Sequence, residues 1–401
     1  MLVSNVDWSD YVGRIAVGKV ISGSAKIGDS VWRLREGHSS ERSKVSKIFE
    51  YSALATNDSA EGVAGNIIGL SGFEEVDIGE TLSSNQEVEL LPFVEIDPPT
   101  VMMSFSVNDG PMAGREGDRV TSREIRDRLI REARTNISIK LEDMDGSADF
   151  KVNARGAMQV AVVVEEMRRE GFELTVSPPK VLYQKDEDGN KLEPIEEITM
   201  DLDEEYSSRI IDSMNRRKGK LIELKDTGKN KKRLIFHAPT RGLMGYTSRF
   251  LTLTKGNGVI NRIFHDYGPF EGEMEGRRNG ALISMEQGKA VAFAIFNLQA
   301  RGEMFVTHND PVYPGMIVGL SPKPGDMIIN VMKGKKLTNM RTQGTDENVV
   351  LTPVRKMSIA EQLSMLNTDE ALEITPQSCR LRKAILDPHE RKRSEKSSSA
   401  A

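Results

Sequence analysis

The chain has 401 residues, room for roughly two to four domains, and its formal net charge of −5 excludes a globally basic nucleic-acid-binding protein. Any contact with nucleic acid must therefore come from local basic patches, and an aromatic content of 5% argues against recognition by base stacking. Cys379 is the single cysteine, so an intrachain disulfide is excluded, and no apolar run has the length of a membrane span. Because no signal peptide opens the chain, the sequence predicts a cytoplasmic protein without a membrane partner.

Residues 1–92 predict a small β-barrel. Two segments, 13–34 and 61–82, alternate apolar and polar positions and are interrupted by glycine turns. Short, glycine-punctuated strands without an intervening helix are typical of closed barrels. Isolated lysines in this part, Lys19 and Lys26 among them, are expected only to keep the barrel soluble.

Residues 97–184 predict a ferredoxin-like unit, in which a strand, a helix, two strands, a helix and a strand follow one another. The first helix begins at a capping box formed by Thr121 and Glu124, and Gly171 is expected to end the second helix. The predicted strands are 101–107, 137–141, 147–153 and 172–177, and the predicted second helix is 157–170. The arginines between 115 and 134 alternate with acids, so they are interpreted as a solvated face with ion pairs.

Residues 193–273 predict a second ferredoxin-like unit of the same order. A strand at 195–203 leads into a helix with Tyr206, Ile210 and Met214 on its buried stripe. Its remaining predicted elements are a hairpin of strands at 220–226 and 231–239, a helix within 243–255 and a strand at 258–267.

Residues 274–386 predict a mostly β C-terminal domain with one short helix, which opens at a capping box of Ser358 and Glu361. Its predicted strands are 281–286, 289–296, 303–307, 316–320, 327–330, 349–354, 370–375 and 379–386. The charged, serine-rich tail, 387–401, predicts disorder. The fold class is thus multidomain α+β: a β-barrel, two ferredoxin-like βαββαβ domains, and a mostly β domain that carries a long basic loop.

That basic loop, 331–348, has sparse apolar residues with no steady period, and the segment 333–341 contains no carboxylate. A long insertion of this kind is either a solvated surface loop or a cationic segment that binds a polyanion. In the second case the predicted phosphate ligands are Lys333, Lys335, Lys336 and Arg341, and the predicted donors to sugars or bases are Thr338, Asn339 and Gln343.

A second candidate RNA-facing set lies in the unit 193–273, where cations stand at helix and hairpin ends that carry little apolar surface. Its members are Arg216, Arg217, Lys218, His237, Arg241 and Arg249. The competing interpretation is a solvated edge. If these residues face RNA, reversing the charge of Arg241 and Arg249 is expected to weaken binding and to leave the melting temperature nearly unchanged.

The sequence predicts no catalytic, cofactor-binding or metal-binding residue. Each of the five Gly-Lys pairs lacks the Ser or Thr that a phosphate-binding loop needs at the next position. The five histidines are far apart in sequence, and neither a metal-ligand spacing nor a nucleophile elbow is visible. The pairing of His308 with Asp310 is interpreted as structural or RNA-facing. The alternative hypothesis is a free-standing protein with an unrecognised hydrolytic site among its scattered His, Asp and Arg residues.

Three groups of motifs carry a resemblance. The pattern GR-(x)3-GKV-x-SG-(x)2-K-x-GD (13–29) resembles the second domain of translational GTPases, and PTRGLMGYTSRFLTLTKGNG (239–258) resembles domain V of elongation factor G. RGEMFVTHNDPVYPGMIVGL (301–320), KGKKLTNMRTQGTDE (333–347) and LEITPQSCRLRKAILD (372–387) resemble the C-terminal domain of the BipA/TypA family.

The BipA/TypA resemblance implies a ribosome-associated translational GTPase whose nucleotide-binding domain precedes the barrel, so this chain is expected to be a monomeric fragment without catalysis. GTP and magnesium are expected only on the missing N-terminal domain. The implied partners are the ribosome, through large-subunit rRNA and A-site tRNA, with the small subunit as a further contact. The basic loop would extend towards the peptidyl-transferase region, and the family is associated with translation, ribosome assembly and stress adaptation.

Overall fold

A computed structural model shows a multidomain, mostly β chain with several sheets and interspersed helices. It describes residues 1–401 except 38–39, 53–54, 93–96, 143–148, 229, 273, 275–278, 335–349 and 399–401. The chain divides into two compact units, one of residues Met1–Pro98 and Asp127–Leu141 and the other of Pro99–Arg126 and Glu142–Ala401. Within the described ranges, no helix combines the length and the apolar character needed to cross a membrane.

The first 98 residues contain only strands and turns within the described part. The strands are β1 (Leu2–Ser9), β2 (Gly13–Lys19), β3 (Ser24–Lys26), β4 (Ser30–Leu34), β5 (Glu41–Lys44), β6 (Lys47–Ser52), β7 (Ala55–Ser59), β8 (Glu61–Val63), β9 (Ile67–Phe73) and β10 (Thr81–Ser83). Eight of them form one antiparallel sheet in the order β5-β4-β10-β1-β2-β9-β6-β7, and β3 pairs with β8. Alternate positions such as Val3, Ile48 and Ile68 are buried in its core, as the apolar alternation predicts.

The next segment contains β11 (Val101–Val107), α1 (Ser122–Thr135), β12 (Lys140–Glu142), β13 (Phe150–Ala154), α2 (Ala157–Arg169), β14 (Leu174–Val176) and β15 (Lys180–Val181). Four of its strands lie side by side in the order β12-β13-β11-β14. The predicted capping box at α1 is confirmed, because the Thr121 hydroxyl accepts from the Glu124 N–H at 3.3 Å and the Glu124 carboxylate accepts from the Thr121 N–H. Gly171, at φ +89°, follows the end of α2 in the left-handed region, where glycine is favoured.

The segment after β15 repeats this arrangement. It contains β16 (Gln184–Lys185), β17 (Lys191–Asp203), α3 (Glu204–Asn215), β18 (Lys220–Gly228), β19 (Lys231–Pro239), α4 (Thr240–Leu243), α5 (Tyr246–Leu253) and β20 (Val259–Pro269). The sheet runs β16-β17-β19-β18, and β20 also pairs with β17. Residues Ile198, Met200 and Leu202 of β17 pack with the helices, so Glu197, Thr199 and Asp201, which alternate with them, lie on the opposite, open face of the sheet.

The C-terminal segment contains β21 (Ala281–Ser284), β22 (Gly288–Lys289), α6 (Ala292–Gln299), β23 (Glu303–Met304), β24 (Pro311–Val312), β25 (Ile317–Leu320), β26 (Met327–Ile329), α7 (Ile359–Met365), β27 (Glu370–Ile374), β28 (Cys379–Lys383) and α8 (Pro388–Ser398). One sheet has the order β23-β25-β21-β26, and β22 pairs with β24. Tyr313, Val318 and Leu282 lie in the core of this part. The capping box of α7, with Ser358 and Glu361, is present as predicted.

The last two strands, β27 and β28, are present where the sequence predicts strands at 370–375 and 379–386. β27 also pairs with β14, so the β27–β28 hairpin extends the sheet of the first ferredoxin-like prediction. β14 would otherwise be an edge strand with unpaired backbone groups, so the added hairpin satisfies an edge that local sequence patterns do not reveal.

Three predictions in the C-terminal segment are wrong. The apolar run 289–296 was expected to be a strand, but Ala292–Gln299 is α6, with Ala294, Ile295 and Leu298 on its buried side. Residues 350–354 form no strand, because the side-chain amide of Gln299 pairs with both backbone groups of Thr352, at 2.9 and 3.2 Å, in place of a neighbouring strand. The C-terminal domain therefore has more than one helix.

The tail also differs from its predicted disorder, since residues Pro388–Ser398 form α8. Asp387 caps the helix, because its carboxylate accepts from the N–H groups of His389 and Glu390 at 2.7 and 2.9 Å. The Arg391 guanidinium donates to the carbonyl groups of residues 385 and 386, which ties the helix to the preceding chain. These local hydrogen bonds stabilise the helix, although the charged, serine-rich composition of the tail is unfavourable for a folded structure.

Candidate nucleic-acid interface

Described residues anchor the basic loop at both ends. Most of its predicted RNA ligands lie outside the described ranges. Val331 is buried in the C-terminal core, and its carbonyl accepts from the Val291 N–H at 2.9 Å. Lys333 follows as an exposed cation. On the far side, Leu351 packs against the same core. Lys335, Lys336, Thr338, Asn339, Arg341 and Gln343 are outside the described ranges, so their RNA role stays a prediction.

Three of the predicted cations follow one another at the end of α3, and the structure separates their roles. Arg216 forms an ion pair with Asp212 at 2.8 Å, and both side chains are more than half exposed. Lys218 is exposed and adopts φ 61°, which turns the chain out of the helix. Arg217 instead points inward, donating to the Gly242 carbonyl at 2.6 Å and lying over the Tyr246 ring at 5.0 Å.

The inward position of Arg217 has an electrostatic cost. Burial lowers the pKa of its guanidinium, and the nearby positive charge of Arg249 lowers the pKa further. Arg249 itself is exposed on α5 and forms no ion pair among the described residues. The helix ends thus bring Arg217 and Arg249 together and leave Lys218 and Arg249 available to an external anion.

Arg241 has a structural partner that its sequence context did not indicate. Its guanidinium binds both carboxylate oxygens of Glu193, and their side chains are only 13% and 0% exposed. The Glu193 carboxylate also accepts from the Glu271 N–H at 3.0 Å, and Arg241 lies over the Phe270 ring at 4.5 Å. The hydrogen bond to Glu193 raises the pKa of Arg241. We therefore leave Arg241 out of the interface, which corrects the expectation that it has no packing role.

His237 lies on the open face of the second sheet rather than at a hairpin end. Its Nε2 atom is 3.3 Å from the Glu197 carboxylate, and its ring stacks on His265 with the centroids 4.1 Å apart. The His308 side chain is exposed in a turn where the Asp310 carboxylate accepts from the Thr307 N–H at 2.7 Å, so that carboxylate organises the turn. The structural or RNA-facing role of His308 itself stays a prediction.

A group of buried charges lies where β14, β27 and β28 meet, and the sequence did not predict it. Arg380 binds Glu116 at 2.6 Å and Glu373 at 3.3 Å, and Glu373 also accepts from the Tyr313 hydroxyl. The cross-strand register contains a usable signal, since the β27–β28 pairing places Glu373 opposite Arg380. A strand as charged as β28 would usually face solvent, so its composition does not predict that these charges are buried.

The same buried group holds the segment after β11 in place. Burial alone would raise the pKa of Glu173, but hydrogen bonds from the N–H groups of Gly114, Glu116 and Gly117 outweigh burial and lower it. Asn108 donates to both Glu173 and Glu373, which joins the two carboxylates. These polar groups are satisfied inside the fold, so we assign them to stability rather than to ligand binding.

Three segments of the chain match known protein domains. Residues 13–83 match elongation factor Tu domain 2, and residues 190–278 match the elongation factor G C-terminus. Both domains in one chain, in this order, define the class of translational GTPases. Residues 279–388 match the TypA/BipA C-terminal domain.

Full-length relatives specify the family. The "Large ribosomal subunit assembly factor BipA" of Salmonella typhimurium is 41% identical over 98% of this chain and 65% of its own length. The Bacillus subtilis protein of the same name is 40% identical over 100% of this chain and 65% of its own, and that of Synechocystis is 39% identical over 95% and 64%. The chain belongs to the BipA/TypA family. It spans just under two thirds of the length of these relatives.

Proposed function

We propose that this chain is the ribosome-binding part of a BipA-like large-subunit assembly factor, and that it contacts rRNA through exposed cations without catalysing a reaction itself. The observation that carries the proposal is the 40% identity with the Bacillus subtilis factor over the whole of this chain. The proposed compartment is the cytoplasm, and the proposed state is a monomer.

The strand orders support a ferredoxin-like identity for both α/β units. In β12-β13-β11-β14 and in β18-β19-β17-β20, the first strand of each unit lies between the third and the fourth. The eight-stranded sheet of the first 98 residues supports a barrel. Folds of this kind present rigid helix and hairpin ends, on which exposed cations are held at fixed positions.

The proposed RNA surface has two parts. The first is the basic loop, of which Lys333 is described and for which Lys335, Lys336 and Arg341 are proposed as further phosphate ligands. The second is the end of α3 with α5, where Arg216, Lys218 and Arg249 are exposed. Each phosphate that a cation neutralises releases condensed counterions, so these groups contribute affinity that declines with salt.

The proposed partners are those that the resemblance to the BipA/TypA family implies. The basic loop would reach large-subunit rRNA and the acceptor end of an A-site tRNA, with Thr338, Asn339 and Gln343 donating to sugars or base edges. The small subunit is a further proposed contact. For the whole protein, GTP hydrolysis on the preceding domain and a part in stress adaptation are proposed on the same basis.

The salt dependence of binding to isolated large subunits tests the loop. Changing Lys333, Lys335, Lys336 and Arg341 together to Ala should lower the slope of log affinity against log salt by up to about four charges' worth. The unfolding midpoint in urea should stay the same, because the anchoring residues Val331 and Leu351 are unchanged. Co-sedimentation at five or more salt concentrations gives both the affinity and the slope.

A matched variant removes four cations from the first 98 residues, Lys19, Lys26, Arg42 and Lys44, all of which are exposed. Its slope for large subunits should stay at the wild-type value. Unchanged affinity and slope in the loop variant would instead show that the loop is only a solvated connection. For the second part of the surface, Lys218→Glu with Arg249→Glu should weaken binding without lowering the unfolding midpoint.

A further inference from the structure

Three adjacent strands of the second sheet, β17, β19 and β20, place one carboxylate and two imidazoles on the open face. Glu197 of β17 lies directly opposite His237 of β19 in the antiparallel register. Its neighbours Ile198 and Met200 alternate with it and are buried under the helices. The carboxylate and the imidazole therefore project together from the face that the helices leave uncovered.

His265 reaches the same place because of a β-bulge. In the β17–β20 pairing, Phe264 lies opposite Glu196 and Asp266 lies opposite Ile195, so His265 is the extra residue of β20. A bulge of this kind redirects a side chain, and here the imidazole of His265 stacks on that of His237 with a tilt of 35°.

The three side chains have the spacing of metal ligands. One ligand atom each from Glu197, His237 and His265 lie within 4.8 Å of one another. In tetrahedral zinc sites, bonds of about 2.0–2.2 Å place nitrogen and oxygen ligands about 3.3–3.5 Å apart, so small side-chain rotations suffice. The Glu197–His237 contact, at 3.3 Å, already has that spacing.

The surrounding charges leave the Glu197 carboxylate available. Lys220 is opposite His237 on the neighbouring strand, but its ammonium group pairs with Glu271. Among the described residues, Glu197 forms an ion pair with no lysine or arginine. Its side chain and that of His237 are 34% and 24% exposed, so an ion bound here would keep positions open to solvent.

We propose that Glu197, His237 and His265 form a binding site for one divalent transition-metal ion of the zinc type, with water completing the coordination. Two neutral imidazoles and a carboxylate are the donor set that Zn²⁺ and the neighbouring ions Co²⁺ and Ni²⁺ accept, whereas Mg²⁺ and Ca²⁺ prefer oxygen alone. The site is independent of the proposed RNA contacts, since the ligands lie on the open sheet face.

The test titrates Co²⁺ into the full chain, prepared without a histidine tag, and records the visible d–d absorption band. We expect one Co²⁺ per chain, displaced by an equivalent of Zn²⁺. His265→Ala should weaken Co²⁺ binding at least tenfold, and this exposed residue can be replaced with little risk to folding. His237→Ala and Glu197→Gln should weaken binding as well, and circular dichroism of each variant shows that the sheet has formed.

His308→Ala is the matched control, because it removes an exposed histidine from a turn in the C-terminal segment, and it should bind Co²⁺ like the wild type. A second measurement follows the urea midpoint, which Zn²⁺ should raise in the wild type and not in His265→Ala. Absence of saturable Co²⁺ binding, or binding that His265→Ala and His237→Ala leave unchanged, would overturn the proposal and reduce the cluster to two histidine rings in contact, one of which is hydrogen-bonded to Glu197.

Discussion

Arg241 and Glu193 show how a surface-like sequence position can hold a buried ion pair. The Glu193 side chain is fully buried and meets the guanidinium through two hydrogen bonds. Removing one partner of such a pair leaves a charge in the interior without compensation. We predict that Arg241→Leu lowers the free energy of unfolding by about 3–5 kcal/mol, measured by urea denaturation.

Arg216→Ala is the control for that measurement. Its ion pair with Asp212 is mostly exposed, so its loss should change the free energy of unfolding by less than about 0.5 kcal/mol. Equal effects of the two substitutions would contradict the structural role of Arg241. The expectation that charge reversal at Arg241 leaves the melting temperature unchanged is replaced by this prediction.

Glu165 supplies a prediction about pH. Hydrogen bonds from Arg168 and, as a smaller contribution, from Arg169 together lower the pKa of Glu165 from 4.5 to about 2, against the opposing effect of burial. A carboxyl whose pKa is lower in the folded state stabilises the fold above its unfolded pKa and loses that contribution as the pH falls. Glu165→Gln should therefore cost about 1 kcal/mol near pH 7.

The difference between wild type and Glu165→Gln should shrink as the pH falls from about 4.5 towards 2, as followed by urea denaturation at several pH values. Glu187→Gln, at an exposed turn position, should show no such trend. A difference that stays constant through this range would mean that the contacts of Glu165 do not favour its charged form.

At the scale of elements, the pairing of β14 with β27 makes the first α/β sheet depend on a distant hairpin. Arg168 of α2 adds a link, because its guanidinium donates to the Pro376 carbonyl in the hairpin turn at 2.8 Å. We predict that deleting residues 369–401 strips amide-exchange protection from β14 and β11, because β14 becomes an open edge. Hydrogen exchange read by mass spectrometry gives the result strand by strand.

Deleting only residues 392–401 should leave that protection intact, because β27, β28 and the contacts of Arg391 remain. Protection of β17 and β19 should survive both deletions, since no strand among the described residues beyond 269 joins their sheet. Full protection of β14 in the longer deletion would show that the first sheet does not need the hairpin.

The elements that sequence predicted well are those fixed by neighbouring residues. The capping boxes at Thr121 and Ser358 and the stop at Gly171 depend on a few adjacent positions, and all three are present. The run 289–296 failed because a short apolar segment has no period that separates strand from helix. The partner of β27 could not be predicted, because its pairing is decided by an open edge about 200 residues away.

The candidate interface likewise has features that neighbouring residues fix and features that depend on distant parts of the chain. Sequence located the exposed cations Lys218 and Arg249, since both stand at helix ends rich in charge. It could not separate them from Arg217 and Arg241, whose partners Gly242 and Glu193 are brought close only by the folded sheet. The Glu197–His237–His265 cluster was missed for that reason too, because its members are spread over 69 positions and meet through strand pairing and a bulge.

For the whole molecule, the proposed absence of catalysis predicts that GTP does not bind to this chain. Each of its Gly-Lys pairs lacks the following hydroxyl that would hold magnesium beside the phosphates. Calorimetric titration with GTP and Mg²⁺ should give no more heat than the same titration with inorganic phosphate. Saturable GTP binding in the micromolar range would contradict the prediction and favour the hydrolytic alternative.

The β14–β27 pairing also has a consequence for the order of events during protein synthesis. After β14 has left the ribosome, about 200 further residues must be translated before β27 exists, which takes roughly 10–40 s at 5–20 residues per second. Through that interval the nascent sheet keeps an unpaired edge that could recruit another strand. The sheet of the first α/β unit is therefore the last sheet to be completed. A chaperone that shields strand edges would act on β14 while the rest of the chain is still being made.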